Sequence, residues 1–290
     1  MGRLEAGNAG APFEAPPSFF MHMSLEPLDI DAIRRARAGS DFGSDLRYVE
    51  ETDSTNTLAA ALPPGTWRSG TTLFTDYQRA GRGRNGRTWL APPRSSLLLS
   101  VVLSPPPGIQ LSDFVALSAL SVADAVAAVT ELRPRIKWPN DVHIAGRKLA
   151  GILLEHRQSP ENQRLIIGMG INANVPVESL RPLGAAATSL QVETGEEVSR
   201  TDLAIALLDS LDMWYRCFTL EPDAVFGAWR SRLDTLGAEL EVHDNAGVWS
   251  GRAIELQRDG GLIVERDDRE RRIVHAADVS LRPRSGLQLP

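Results

Sequence analysis

The segment Leu97-Leu98-Leu99-Ser100-Val101-Val102-Leu103 constrains the fold more than any other. It is a continuous apolar run with one hydroxyl and no charge, followed by the break Pro105-Pro106-Pro107-Gly108. A run of this length reads as a strand buried on both faces, so layers must pack above and below a sheet. Ser112 is expected as the N-cap of a helix with Phe114, Val115, Leu117, Leu120, Val122 and Val126 on or beside one face. A second helix, capped by Thr201, carries Leu207, Leu211, Trp214 and Phe218 at helical spacing, and a third covers roughly 224–233. Asp53-Ser54-Thr55-Asn56 opens a capped helix running to Leu62, and a short helix is expected over 28–37. Strands are expected over 71–77, 135–144, 148–156 and 165–171, with Ala145-Gly146-Arg147 turning one into the next as a hairpin.

From Leu236 the texture changes. Short β-type segments over 240–243, 248–256, 262–265 and 273–276 are spaced by Asp244-Asn245-Ala246-Gly247, Asp259-Gly260-Gly261 and Asp267-Asp268, the pattern of a small β-barrel. Residues 1–24, with Pro12, Pro16 and Pro17 and no periodicity, are expected as a disordered extension. The layout is an α+β body with a mixed sheet and flanking helices over 25–235, and an all-β unit over 236–285.

Composition narrows the function. The formal charge is -6, from 31 basic and 37 acidic residues, the wrong sign for a protein whose partner is bulk nucleic acid. The single Cys217 cannot form an internal disulfide, and the five histidines lack zinc-ligand spacing. No apolar run reads as a membrane span, and no basic region leads into an apolar block. The expectation is a cytoplasmic protein that does not engage membranes.

Against that acidic background, Gly81-Arg82-Gly83-Arg84-Asn85-Gly86-Arg87-Thr88-Trp89 stands out. No acid occurs between Tyr77 and Ser112, while Arg79, Arg82, Arg84, Arg87 and Arg94 all fall there. Glycines allow close backbone approach, and guanidinium forks bind phosphate or carboxylate oxygens in pairs, so the loop reads as an anion handler. Gly81, Gly83 and Gly86 match G-x-G-x-x-G only formally. No helix opens at the third glycine, where Pro92-Pro93 soon follow, and no acid lies at the required distance. Lys137-Trp138-Pro139-Asn140-Asp141 puts turn-formers inside a β-like stretch. Lys148-Leu149-Ala150-Gly151 and Gly168-Met169-Gly170-Ile171-Asn172 mark two further strands with glycine.

These segments, in this order and together with Ser54-Thr55-Asn56 and Gln78, resemble the biotin–protein ligases, in the form without an N-terminal DNA-binding domain. The resemblance runs from about Asp45 to the C-terminus. It implies a class II synthetase-like body with a small C-terminal SH3-like β-barrel. It also implies two reactions: biotin and ATP give biotinyl-5'-AMP and pyrophosphate, then a lysine of a biotin carboxyl carrier protein or domain takes the biotin. Biotin and ATP are then substrates, with Mg²⁺ accompanying the nucleotide and no permanently bound cofactor or metal. The resemblance assigns catalysis to Lys148, Arg84, Arg87 and Asp141. Biotin falls to Ser54, Thr55, Asn56, Gln78, Gly81, Arg82, Gly83, Arg84, Lys148, Gly151, Gly168 and Gly170. ATP falls to Arg82, Arg84, Arg87, Trp89, Asn140, Lys148 and Asn172, with Trp89 stacking on adenine. Lys148 would bridge the biotin carboxylate and the α-phosphate, and Asp141 would orient or deprotonate the incoming lysine. The loop is expected as a lid, disordered when empty. A monomer or weak homodimer that binds no DNA is implied. The alternatives are a lipoate–protein ligase of the same superfamily and a non-catalytic biotin-binding regulator.

Overall fold

The computed structural model describes residues 25–105, 110–159, 162–181, 186–244, 247–276 and 280–283. The extension expected over 1–24, part of the proline break and the end of the C-terminal unit lie outside the described residues. The chain runs through α1 (Ile30–Ala36), β1 (Leu46–Thr52), α2 (Thr55–Ala60), β2 (Thr71–Gln78), β3 (Gly81–Arg82), β4 (Thr88–Trp89) and β5 (Ser96–Leu103). Next come α3 (Leu111–Val129), β6 (Arg135–Lys137), β7 (Asp141–Ile144), β8 (Arg147–Ser159) and β9 (Asn162–Asn172). Short α4 (Val177–Leu180) and α5 (Leu190–Thr194) lead to α6 (Arg200–Leu220) and α7 (Pro222–Arg232). The last strands are β10 (Glu239–Asp244), β11 (Gly247–Leu256), β12 (Leu262–Glu265), β13 (Arg271–Val274) and β14 (Ser280–Pro283).

A seven-stranded sheet in the order β1-β2-β5-β9-β8-β7-β6 forms the body. β1 and β2 pair in parallel and the other neighbours are antiparallel, so the sheet is mixed. β5 is buried along its whole length, as its sequence demanded. Its alternation shows why both faces needed cover. Leu97, Leu99, Val101 and Leu103 stand opposite Ile171, Met169, Ile167 and Leu165 of β9 and join the main core with α3 and α6. Val102 and Ile166, on the reverse face, form a second core with Leu73 and with Ala59 of α2. α2 thus covers the face opposite the long helices. α3 is apolar and long enough to cross a membrane by length and composition, yet 67% of that stretch is buried here, as in a core helix.

Several boundaries differ from the sequence reading. The N-cap of α3 is Gln110, with no side-chain cap bond, so Ser112 already lies in the first turn. α6 begins at Arg200 with Ser199 as its cap, the Ser199 hydroxyl accepting from the Asp202 N–H, and Thr201 is inside the helix. The strand expected over 135–144 is two strands, because Trp138-Pro139-Asn140 turns the chain and the Trp138–Pro139 peptide is cis. The hairpin at Ala145-Gly146 is present, both residues at positive φ. β1 and β14 add edges that the sequence reading did not mark as strands.

The C-terminal strands form a five-stranded antiparallel sheet in the order β13-β12-β11-β10-β14. It is tied to the body beside the arginine loop. The Trp138 indole N–H donates to the Gly260 carbonyl at 3.0 Å, and Arg258 pairs with Asp113 at the start of α3.

Candidate functional site

The arginine loop is folded as a hairpin. β3 pairs with β4, Gly83 N–H donates to the Arg87 carbonyl at 2.7 Å, and Asn85 and Gly86 turn the chain at positive φ. The hairpin lays Trp89 over two glycines, Gly151 of β8 and Gly170 of β9, which are paired neighbours in the sheet. A Cβ on Gly170 would stand 2.7 Å from Trp89 Cε2, and one on Gly151 would stand 3.4 Å from Trp89 Cζ3 and 3.2 Å from Lys148 Nζ. Those glycines therefore make a flat floor that a planar ring can approach. Trp89 borders three adjoining cavities of about 30, 190 and 300 Å³.

The smallest is lined by Ser54, Thr55, Asn56, Gln78, Arg82, Gly151, Gly168 and Gly170, eight of the residues assigned to biotin. Apart from Arg82, whose guanidinium pairs with Glu155, its polar side chains are neutral, and Thr55, Asn56, Gln78 and Ser100 form one hydrogen-bonded network. Gln78 Oε1 accepts from the Thr55 N–H at 2.8 Å, and Thr55 Oγ1 lies 3.2 Å from the same oxygen. Ser100 Oγ lies 2.7 Å from Thr55 Oγ1 and 2.6 Å from Asn56 Oδ1. Asn56 Nδ2 donates to the Leu153 carbonyl at 3.3 Å. Proton counting orders this network: an amide oxygen only accepts, so the single Ser100 proton goes to Asn56 Oδ1, and Thr55 faces Ser100 as donor or Gln78 as donor. The Gln78 oxygen is engaged, which leaves its amide NH2 as the donating end. Gly168 is required for a separate reason, since a Cβ there would lie 2.3 Å from Asn56 Oδ1.

The two larger cavities hold the charges. Lys148 Nζ pairs with Asp141 Oδ1 at 2.7 Å and stands 5.8 Å from the Trp89 ring centre. Its backbone is pinned on both sides, donating to Ala186 O at 2.6 Å and accepting from Thr188 N–H at 2.9 Å. Arg84 donates to Asn140 Oδ1 at 2.9 Å and to the carbonyl of Ala276, so the hairpin grips both the turn before β7 and the C-terminal sheet. Burial pushes the Arg84 pKa down; Asp141 opposes this and Arg87 adds to it. Arg82 forms a two-pronged pair with Glu155. Arg87 and Lys137 line both larger cavities and form no ion pair with any described residue. Asn172 lines the 300 Å³ cavity and donates from Nδ2 to Thr188 O at 2.9 Å. Such an arrangement of fixed and unpaired cations beside a dry floor suits the joining of two anions.

Every side chain named from the sequence therefore comes to one groove; Gly81 and Gly83 serve the hairpin backbone at its edge. A Cβ on Gly81 would meet the Trp89 carbonyl at 2.5 Å. The sequence reading missed Ser100, whose signal was a lone hydroxyl in an otherwise apolar strand. It also left Lys137 without a role, though the motif containing it was noted. His143 went unassigned too. It is buried on β7 two residues after Asp141, its Nδ1 meets Gly146 O at 3.1 Å, and burial pushes its pKa down to about 4.

The sequence profile of the biotin/lipoate A/B protein ligase family matches residues 48–172, which span the groove from β1 to the end of β9. The biotin–[acetyl-CoA-carboxylase] ligase of Paracoccus denitrificans is 35% identical over 243 residues, covering 80% of this chain and 98% of the relative. That of Mycobacterium tuberculosis is 33% identical over 225 residues, covering 74% of this chain and 81% of the relative. Among solved structures, the biotin protein ligase from Aquifex aeolicus in complex with biotin and ATP has a TM-score of 0.72 at 29% identity, over 83% of this chain and 99% of that one. With relatives of that identity matched over most of their length, this chain belongs to the biotin/lipoate A/B protein ligase family.

Proposed function

We propose that the chain activates biotin with ATP to biotinyl-5'-AMP and passes the biotin to a lysine of a biotin carboxyl carrier domain. The observation that carries this reading is the joining, across Trp89, of a largely neutral hydrogen-bonding seat to a groove that holds Lys148, Arg84, Arg87 and Lys137. A ureido group is neutral and needs a few matched donors and acceptors, which Ser54, Thr55, Asn56 and Gln78 offer. The 30 Å³ left beside them holds about one water, so a bicyclic ligand enters only as Trp89 turns off the Gly151–Gly170 floor. Once off the floor, the indole is free to stack on the adenine.

In adenylation the biotin carboxylate oxygen bonds to the α-phosphorus and the bond to pyrophosphate breaks. Two anions must meet, and Lys148, Arg84 and Arg87 supply fixed positive charge where they do. Asp141 holds Lys148 at 2.7 Å. When anionic oxygens take over Lys148, the carboxylate is released to meet the amine of the carrier lysine, which then attacks the acyl carbon and expels AMP. Asn140 and Asn172 lie beside the nucleotide, Gly81, Arg82 and Gly83 in the hairpin over the ligand. Magnesium arrives with ATP as part of that substrate. Residues 25–235 carry the chemistry, and the unit over 236–285 braces the hairpin through Ala276. The protein works in the cytoplasm, where carrier domains and ATP are available.

Incubating the protein with MgATP and an apo carrier domain, with biotin or lipoate, tests the reading. The expected product is one biotin mass added to a single carrier lysine. Lipoyl transfer without biotinyl transfer would move the protein to the lipoate ligases, which the polarity of the seat argues against.

A further inference from the structure

One buried cation lies outside the groove and has no acidic partner among the described residues. Arg164 is 5% exposed, and its Nη1 donates to three carbonyls: Ala59 at 3.1 Å, Ala60 at 3.2 Å and Leu62 at 3.0 Å. A buried guanidinium without a carboxylate is costly, and it persists only where its donors are well used. Burial, with Arg157 as a lesser cause, pushes its pKa down. The guanidinium also stacks over Trp67, 4.9 Å from the ring centre.

The carbonyls of Ala59 and Ala60 belong to the last turn of α2 and that of Leu62 follows its C-cap Ala61, so the guanidinium sits at the end where the helix dipole is negative. α2 needs such an anchor. It spans six residues, far below the length at which a helix holds itself, and its N-cap Ser54 makes no side-chain cap bond. Its opposite end supplies Thr55 and Asn56 to the neutral seat. β9 explains how the two ends are coupled. Arg164, Ile166, Gly168 and Gly170 alternate onto one face of that strand. Arg164 grips the C-terminal end of α2, Ile166 packs with Ala59, Gly168 leaves room for Asn56, and Gly170 leaves room for Trp89. A single strand face thus sets where α2 lies along the groove.

We propose that Arg164 is a positioning residue for the biotin site: it acts through α2, fixing the height of Thr55 and Asn56 over the glycine floor without touching the ligand. This rests on the assignment of the seat to biotin. Lysine keeps the charge and three N–H donors, but its shorter side chain falls short of the Nη1 position and cannot stack a flat guanidinium on Trp67, so Arg164→Lys is the milder variant and Arg164→Met the harsher.

The test is steady-state biotin transfer to a saturating carrier domain with each variant, biotin and ATP being varied separately, and active sites counted by the pyrophosphate burst before carrier is added. Arg164→Lys is expected to raise KM for biotin about tenfold, and Arg164→Met further, with KM for ATP and kcat per active site within about twofold. Thr55→Ala serves as the control on the seat. If Thr55→Ala raises KM for biotin and both Arg164 variants keep the wild-type value, the positioning role is overturned. The role is equally overturned if Arg164→Lys lowers only the number of active sites, which is the mark of a merely structural residue. If Thr55→Ala itself leaves KM for biotin unchanged, the seat assignment fails.

Discussion

The seat around Thr55 and the groove around Lys148 share Trp89 as a wall and are built on opposite principles. In the seat, Ser54, Thr55 and Asn56 are 3%, 3% and 2% exposed, and the side chains of Thr55 and Asn56 are bonded to Gln78, Ser100 and the Leu153 carbonyl. In the groove, Lys148 and Arg82 remain 36% and 41% exposed, and Arg87 and Lys137 are unpaired among the described residues. Neutral polar atoms can be buried in advance at little cost once each has a partner. Bare cations cannot, so the groove keeps them hydrated or lightly paired until an anion arrives. Recognition is therefore prepared before the ligand comes, and charge is committed only afterwards.

Mutations should separate the two halves. The largest effect is expected from Lys148→Ala, which removes the central cation while leaving the seat intact. Adenylation kcat should fall about 10²–10³-fold, with biotin affinity nearly unchanged in a direct binding assay. A matched loss of biotin affinity would show that the halves are not separable.

Ser100→Ala should do the converse. It leaves Asn56 Oδ1 without its buried donor, a loss of about 1–3 kcal/mol. KM for biotin is expected to rise about tenfold at constant kcat, and Ser100→Ala with Thr55→Ala should cost less than the sum of the two, because both act on one network. Additive effects would break the network apart.

The smallest effect concerns pH and belongs to the charged half. His143 sits behind Asp141 and Lys148, and burial lowers its pKa from 6.5 to about 4. Between those values the unfolded chain binds the proton and the folded chain does not. Stability therefore rises with pH across the window and is lost as pH falls from about 6.5 towards 4. Replacing the histidine with phenylalanine should flatten the melting temperature between pH 7 and pH 4.5. An unchanged pH slope would show that His143 is not the group responsible.

How much of this was legible beforehand follows the same divide. Charge concentrated in a glycine-rich loop is visible in sequence because it departs from its acidic surroundings, and so the arginine loop, Lys148 and Asp141 could be named. Glycines in strands were readable as close approaches, and the structure assigns Gly170 to Trp89 and Gly168 to Asn56. Ser100 was visible only as an interruption, since a hydroxyl in an apolar strand carries no indication of its partner. Arg164 gave no signal at all. It opens an apolar strand like many surface arginines, and its meaning depends on α2, more than a hundred residues earlier, lying across the same sheet face. Two helix caps were misplaced by two residues: Ser199 takes the place of Thr201 at α6, and α3 starts from Gln110 with no side-chain cap to signal it. β1 was missed because its side chains are mostly half-buried, a pattern with little apolar alternation.

The most direct test of the account is pyrophosphate release from the purified protein with MgATP, in the presence of biotin, of lipoate, or of neither. The account predicts release that depends on biotin, is absent with ATP alone, and stops after about one equivalent per active site until a carrier domain is added. Folded protein that releases no pyrophosphate with biotin would contradict it.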